Sequence, residues 1–259
     1  MSKTFALELD HVDKYFSGLH AADDVCIQVE EGQIYGIIGP NGAGKTTIFN
    51  MITGIYPPSS GTIRFFGEDI TGKEPHEIAL KGIARTFQNI RLFGDMSVFS
   101  NVYSAYQKNL TYNFIEGIFH LPRYRKQEKE AEGKCLALLD RVGLLPLKDL
   151  QANKLPYGQQ RRLEIVRALA TGAKLLLLDE PAAGMNEEES ARLSEIVKNI
   201  RKDFGVTIVI IDHHMDVIMD VCEKITAINF GKVLATGSAE EVQNNSDVID
   251  AYLGRSEDA

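Results

Sequence analysis

A chain of 259 residues with 44% hydrophobic side chains can bury a substantial core. That excludes a disordered chain and leaves room for one large domain, or a domain carrying a sizeable subdomain. With 28 Lys and Arg against 36 Asp and Glu the net charge is -8, a balance that argues against a free-standing nucleic-acid binder.

The opening MSKTFALELD lacks the apolar run of a secretory leader, and no later apolar stretch is long enough to span a bilayer. A soluble chain is expected, able to dock on a membrane protein. Leu7–Val12 alternates like a strand; Asp24–Val29 does so less cleanly, and Glu30–Gln33 reads as a turn. Ile34–Ile38 is a short β-type run that stops at Gly39. The next residues, Gly39, Pro40, Asn41, Gly42, Ala43, Gly44, Lys45 and Thr46, fit G-x-x-x-x-G-K-[ST], with Thr47 following. Glycines let the backbone turn its N–H groups inward onto phosphate oxygens, and the helix start adds partial positive charge. Lys45 is then a compact cation for the β- and γ-phosphates, and the Thr46 hydroxyl a ligand for Mg²⁺. This loop by itself does not choose among kinases, GTPases, helicases and transport ATPases.

From Lys45 a helix is expected to run to Gly54, and Pro57–Ile70 reads as turn, strand, turn, strand. The middle, about 97–154, reads as helical. Its aromatic stretch, Asn113–Tyr124, is expected to pack as core, the alternative being a docking patch for a membrane partner; Arg125–Lys134 reads as a solvated helix face. Leu155–Thr171 is a turn feeding an amphipathic helix with Leu163, Val166 and Ala170 on one face. Leu175–Asp179 is a continuous apolar strand of the central parallel type, Glu187–Phe204 a helix, and Thr207–Asp212 a second buried strand. Asp179 and Glu180 stand at the carboxyl end of the first of these strands, where ligands gather in such sheets. Asp179 can hold the hydration shell of Mg²⁺, and Glu180 can polarise an attacking water. Strands alternating with helices give an α/β fold, with the helical middle inserted as a subdomain.

Further segments carry a resemblance. Leu155, Pro156, Tyr157, Gly158 and Gln159 open a segment that resembles the signature of the ABC (ATP-binding cassette) ATPases, LSGGQ followed by a helix. Gln88 in ARTFQNIRLF is similar to the family's Q-loop glutamine, and His213 to its switch histidine. Phe16 in KYFSG matches the aromatic that stacks on adenine, Tyr15 being the alternative ring, and Asn186 takes the D-loop position. ARTFQNIRLF, YGQQRRLEI, LLDEPAAGMN and NNSDVIDAYLG further resemble the ATPase subunits of branched-chain amino-acid importers, a group with relatives serving urea or short amides. The resemblance implies a P-loop NTPase core of ABC ATPase type, with an antiparallel β subdomain and a helical subdomain at about 97–160, in one domain over 1–259. It implies ATP and Mg²⁺ as cofactors, the metal held by Thr46, Gln88 and Asp179, with Glu180, His213 and Lys45 catalytic. The implied partners are a second ATPase subunit, identical or different, two transmembrane permeases and, indirectly, an external solute-binding protein. No nucleic acid is among them. The chain would sit on the cytoplasmic face of the membrane. Two ATP molecules would lie head to tail, each between one subunit's phosphate loop and the other's signature.

The sequence departs from the pattern at Pro156, which replaces the signature serine and has neither hydroxyl nor N–H to offer the opposite γ-phosphate. Asn186 replaces the usual D-loop aspartate. Competing readings are a soluble ABC ATPase acting on DNA or ribosomes, and a nucleotide-binding regulatory module. The first would tend to carry two cassettes or a long coiled coil; only Pro156 favours the second. Cys26, Cys135 and Cys222 include no CxxC pair, so neither a disulfide framework nor a zinc site is expected, and all three read as small buried residues. His11, His20, His76 and His120 have no motif around them, and His214 reads as a surface residue without an acidic partner.

Overall fold

The computed structural model describes residues 4–253; the first three residues of MSKTFALELD and Gly254 of NNSDVIDAYLG lie outside the described residues. In chain order the elements are β1 (Phe5–Phe16), β2 (Leu19–Glu30), β3 (Ile34–Ile38), α1 (Lys45–Ile52), β4 (Ser60–Phe65), β5 (Glu68–Asp69), α2 (Pro75–Lys81) and β6 (Ile83–Arg85). Then come α3 (Val98–Tyr106), α4 (Phe114–Ile118), α5 (Pro122–Arg141), α6 (Tyr157–Ala170), β7 (Leu175–Asp179), α7 (Glu187–Phe204) and β8 (Thr207–Ile211). The chain continues through α8 (Met215–Val221), β9 (Lys224–Asn229), β10 (Lys232–Gly237), α9 (Ala239–Gln243) and α10 (Ser246–Leu253). Two compact units result, one from the chain up to Arg85 and from Lys174 onward, the other from Thr86–Ala173.

The first unit holds two sheets. One is antiparallel in the order β2-β1-β4-β5; the other runs β10-β9-β3-β8-β7-β6, parallel from β9 to β6 with β10 as an antiparallel edge. Every residue of β3, β7 and β8 is buried, as strands covered on both faces should be. Gly36 sits mid-strand in β3 because a Cβ there would press on Cys222, Ile225 and Ile218 at 3.1–3.3 Å, so α8 packs directly on the sheet. The β1–β2 hairpin is longer than the alternation in the sequence indicates. His11 and Asp24 take left-handed backbone conformations, and the β1–β2 register slips between Leu9 and Val12. That irregularity is why the pattern from Asp24 reads unevenly.

The second unit is helical, with α3 packed on α5 and α6. Leu163, Ile165, Val166, Leu169 and Ala170 of α6 are all buried, as its spacing predicts. The aromatic stretch corrects the sequence reading. Phe114 and Phe119 are 82% and 70% exposed, and Ile115, Ile118 and Leu121 are exposed too. Its anchors are tyrosines instead: Tyr112 meets Tyr124 edge-on at 4.8 Å, and the Tyr103 and Tyr112 hydroxyls both donate to Glu128. Helix α4 is held by its own capping box, Asn113 with Glu116, and buries none of its residues.

Cysteine burial also needs a correction. Cys135 and Cys222 are buried, whereas Cys26 points outward from β2. Burial pushes the Cys135 thiol up to about 11 and the Cys222 thiol higher still, so both behave as inert apolar residues. No helix among the described residues is long and apolar enough to cross a membrane.

Candidate active site

The phosphate loop leaves β3 at Ile38 and enters α1 at Lys45. Its glycines are dictated by close approach: a Cβ on Gly39 would lie 2.2 Å from the Ile228 carbonyl oxygen, and one on Gly44 2.4 Å from that of Ala21. Gly44 caps α1 with a φ of 107°, a left-handed conformation. Lys45 is buried; its Nζ donates to the carbonyls of Gly39 at 2.6 Å and Pro40 at 2.9 Å. Burial pushes its pKa below the usual lysine value, opposed by the charges of Glu180 and Asp179. The ammonium therefore rests on loop carbonyls beside two carboxylates.

A cleft of about 280 Å³ opens over this loop, lined by Phe16, Leu19, His20, Asn41 to Thr47, Glu180 and Phe230. Phe16 faces the cleft and meets Tyr56 edge-on at 5.3 Å. Tyr15, the alternative stacking ring, lies against His20 at 4.0 Å. His20 itself is clasped by Asp13 at 2.7 Å, so it has partners that the sequence left unseen.

Asp179 ends β7 and is almost fully buried. Its Oδ2 accepts from Arg85 at 2.7 Å, and the other arm of that guanidinium donates to Asn50 of α1 at 2.7 Å. Glu180 follows with a φ of 46°, a left-handed backbone rare for a non-glycine residue, fixed by its N–H donating to the Ile211 carbonyl at 2.7 Å. The turn carries Glu180 off the sheet and into the cleft. Exposed His213, following β8, places Nδ1 3.7 Å from the Glu180 carboxylate. Asp212 organises both turns. Its Oδ2 accepts from Ala182 N–H at 3.0 Å; its Oδ1 accepts from His214 N–H at 2.9 Å and lies 2.7 Å from His214 Nδ1. His214 thus has an acidic partner two residues away, contrary to the sequence reading.

In this unit the structure brings together Phe16, the loop residues Gly39 to Thr47, Glu180 and His213, with Asp179 beneath. The Thr46 hydroxyl and Asp179 carboxylate offer only oxygen, a donor set suited to Mg²⁺. Asn186 is exposed and caps α7, its side chain accepting from Glu189 N–H at 2.9 Å.

Gln88 and the signature lie in the second unit. Gln88 is exposed, on a turn whose backbone is gripped by α6. Arg161, fully buried, donates to the carbonyls of Phe87 at 2.5 Å and Gln88 at 2.8 Å, and pairs with Glu164 at 2.8 Å. Leu155 is buried, Pro156 caps α6, Tyr157 is exposed, Gly158 is buried and Gln159 half-buried. Sequence reasoning missed Arg85, Asp212, Arg161 and Glu164. Only Asp212 left a trace in the sequence, as an acid ending an apolar strand run.

The family described as ABC transporter matches residues 22–183, and one described as branched-chain amino acid ATP-binding cassette transporter matches residues 232–258. The high-affinity branched-chain amino acid transport ATP-binding protein BraF of Pseudomonas aeruginosa is 44% identical over 248 residues, covering 96% of this chain and 97% of that protein. LivG of Escherichia coli K12, named for the same transport, is 41% identical over 239 residues, 92% of this chain and 94% of its own. Among solved structures, an ATP-binding cassette of an ABC transporter in its ADP conformation has a TM-score of 0.83 and 31% identity, covering 98% of this chain and all of that one. A nucleotide-free cassette has a TM-score of 0.82 and 32% identity, covering 97% of this chain and all of its own. On the matched motifs, the shared fold and identity along nearly its whole length, this chain belongs to the ATP-binding cassette family of ABC transporters.

Proposed function

We propose that the chain is the ATP-hydrolysing subunit of a membrane importer for branched-chain or other hydrophobic amino acids. The carboxyl-terminal family match and the names of the relatives support the solute class. The observation that carries the chemistry is Glu180, turned off the end of β7 by its left-handed backbone to line the cleft over the phosphate loop.

In this reading Phe16 stacks on the adenine, and the N–H groups from Gly39 to Thr47 take the phosphates. Lys45 leaves its carbonyl partners for the β- and γ-phosphate oxygens. Glu180 orients a water and accepts its proton as the water oxygen bonds to the γ-phosphorus and the bond to ADP oxygen breaks. His213 donates to the γ-phosphate. Mg²⁺, when bound, neutralises phosphate charge, and Thr46, Gln88 and Asp179 are the residues that would hold it. The signature, Leu155 to Gln159, serves the ATP of a second cassette, identical or different, as Asn186 does from the D-loop. Two permeases carry the solute across the membrane, with the pair of cassettes at its cytoplasmic face and an external binding protein delivering the load.

The test is Glu180→Gln in the assembled transporter. ATP should still bind and be retained, while phosphate release falls by about 100-fold or more, the scale expected for losing a general base. Near-normal phosphate release would remove Glu180 from the role.

A further inference from the structure

Arg85 is the last residue of β6, an edge strand of three residues. Its side chain is 6% exposed and that of Asp179 is 7% exposed. A buried ion pair of this kind persists only when its geometry is good and its hydrogen bonds are met. At the two terminal nitrogens of the guanidinium the geometry is good. One arm donates to Asp179 Oδ2 at 2.7 Å, the other to Asn50 Oδ1 at 2.7 Å, and the Phe49 ring lies 5.4 Å from its central carbon. Asn50 and Phe49 belong to α1, the helix that begins with Lys45 and carries Thr46. A single planar fork thus ties the carboxylate at the end of β7 to the helix that presents the phosphate loop. A lysine has one point charge and cannot reach two acceptors in that fixed plane.

We propose that Arg85 is a positioning residue for Asp179. By holding Oδ2, it sets the plane of the carboxylate and directs it toward the Mg²⁺ hydration shell beside Thr46. Arg85 touches neither nucleotide nor reacting atoms in this account. The inference rests on the reading of Asp179 as a metal-holding residue.

The experiment follows binding, not turnover. A fluorescent ATP analogue is titrated onto the full chain in EDTA and at rising Mg²⁺, for the wild type, Arg85→Met, Arg85→Lys, Asn50→Ala and Asp179→Asn. The midpoint for Mg²⁺ should rise about tenfold in Arg85→Met and less in Arg85→Lys and Asn50→Ala, with affinity in EDTA changed by less than about twofold. A purely structural role would weaken binding equally with and without Mg²⁺, and that result overturns the proposal. So does an unchanged Mg²⁺ midpoint in Arg85→Met or, should that variant not fold, in Arg85→Lys. Asp179→Asn separates the two readings. If it leaves the Mg²⁺ midpoint in place, the metal role of Asp179 fails and the proposal with it. If it shifts the midpoint and neither Arg85 variant does, only the role of Arg85 fails.

Discussion

Pro156 caps α6 with a φ of −53°, and its carbonyl accepts the N–H groups of Gln159 and Gln160, each at 3.0 Å. The helix start therefore tolerates proline, which has no N–H to lose there. In the proposed role of the signature, proline withholds both a hydroxyl and an N–H from the opposite γ-phosphate, and one hydrogen bond to a charged group contributes about 1.5–3 kcal/mol when made. Pro156→Ser in the assembled transporter should raise the ATPase rate several-fold, up to the tenfold that about 1.4 kcal/mol off the barrier gives. An unchanged rate would mean that Pro156 costs the site nothing. Residues of the phosphate loop, Asp179 and Glu180 were legible because their chemistry depends on neighbours in sequence. Arg85 was not: its carboxylate partner lies 94 residues away and its amide partner 35. Arg161 was hidden similarly, for the Phe87 carbonyl it holds is 74 residues distant. No local pattern announces such pairs.

At the level of elements, α7 shows how one residue answers to two constraints. Asn186 is proposed to serve as the D-loop residue, and its side chain also closes a capping box with Glu189, while the first turn carries Glu187, Glu188 and Glu189. Those acids suit the positive end of the helix. Asn186→Ala should destabilise the chain by about 1 kcal/mol in a urea-unfolding measurement, while Asn186→Asp, an equally good cap, should stay near the wild type. Equal losses in both variants would remove the cap from the account. The strands β3, β7 and β8 were legible as unbroken apolar runs, and α7 as a helix over Glu187–Phe204. β6 escaped because three residues carry too little pattern. In the Asn113–Tyr124 stretch aromatic content does not translate into burial, because α4 is set by its own caps and leaves its apolar side chains exposed.

On the scale of the whole molecule, the residues proposed to handle one ATP are divided between two parts of the chain. Phe16, the phosphate loop, Asp179, Glu180 and His213 belong to the unit with the parallel sheet, and Gln88 belongs to the helical unit, as does the signature proposed to serve the ATP of a second cassette. That division was legible in the sequence only as an interruption of the strand–helix alternation. The match along nearly the full length of transporter ATPases fits the proposed role as the motor of a transporter. In the proposed chemistry the loop before α1 grips the triphosphate while the acid after β7 aims a water at it. A crystal structure of the assembled transporter with Mg²⁺ and a non-hydrolysable ATP analogue tests it most directly. A water should lie about 3–3.5 Å from the γ-phosphorus, in line with the bridging oxygen and hydrogen-bonded to Glu180. A terminal phosphate outside the reach of Lys45, or an attacking water held by some other side chain, would contradict it.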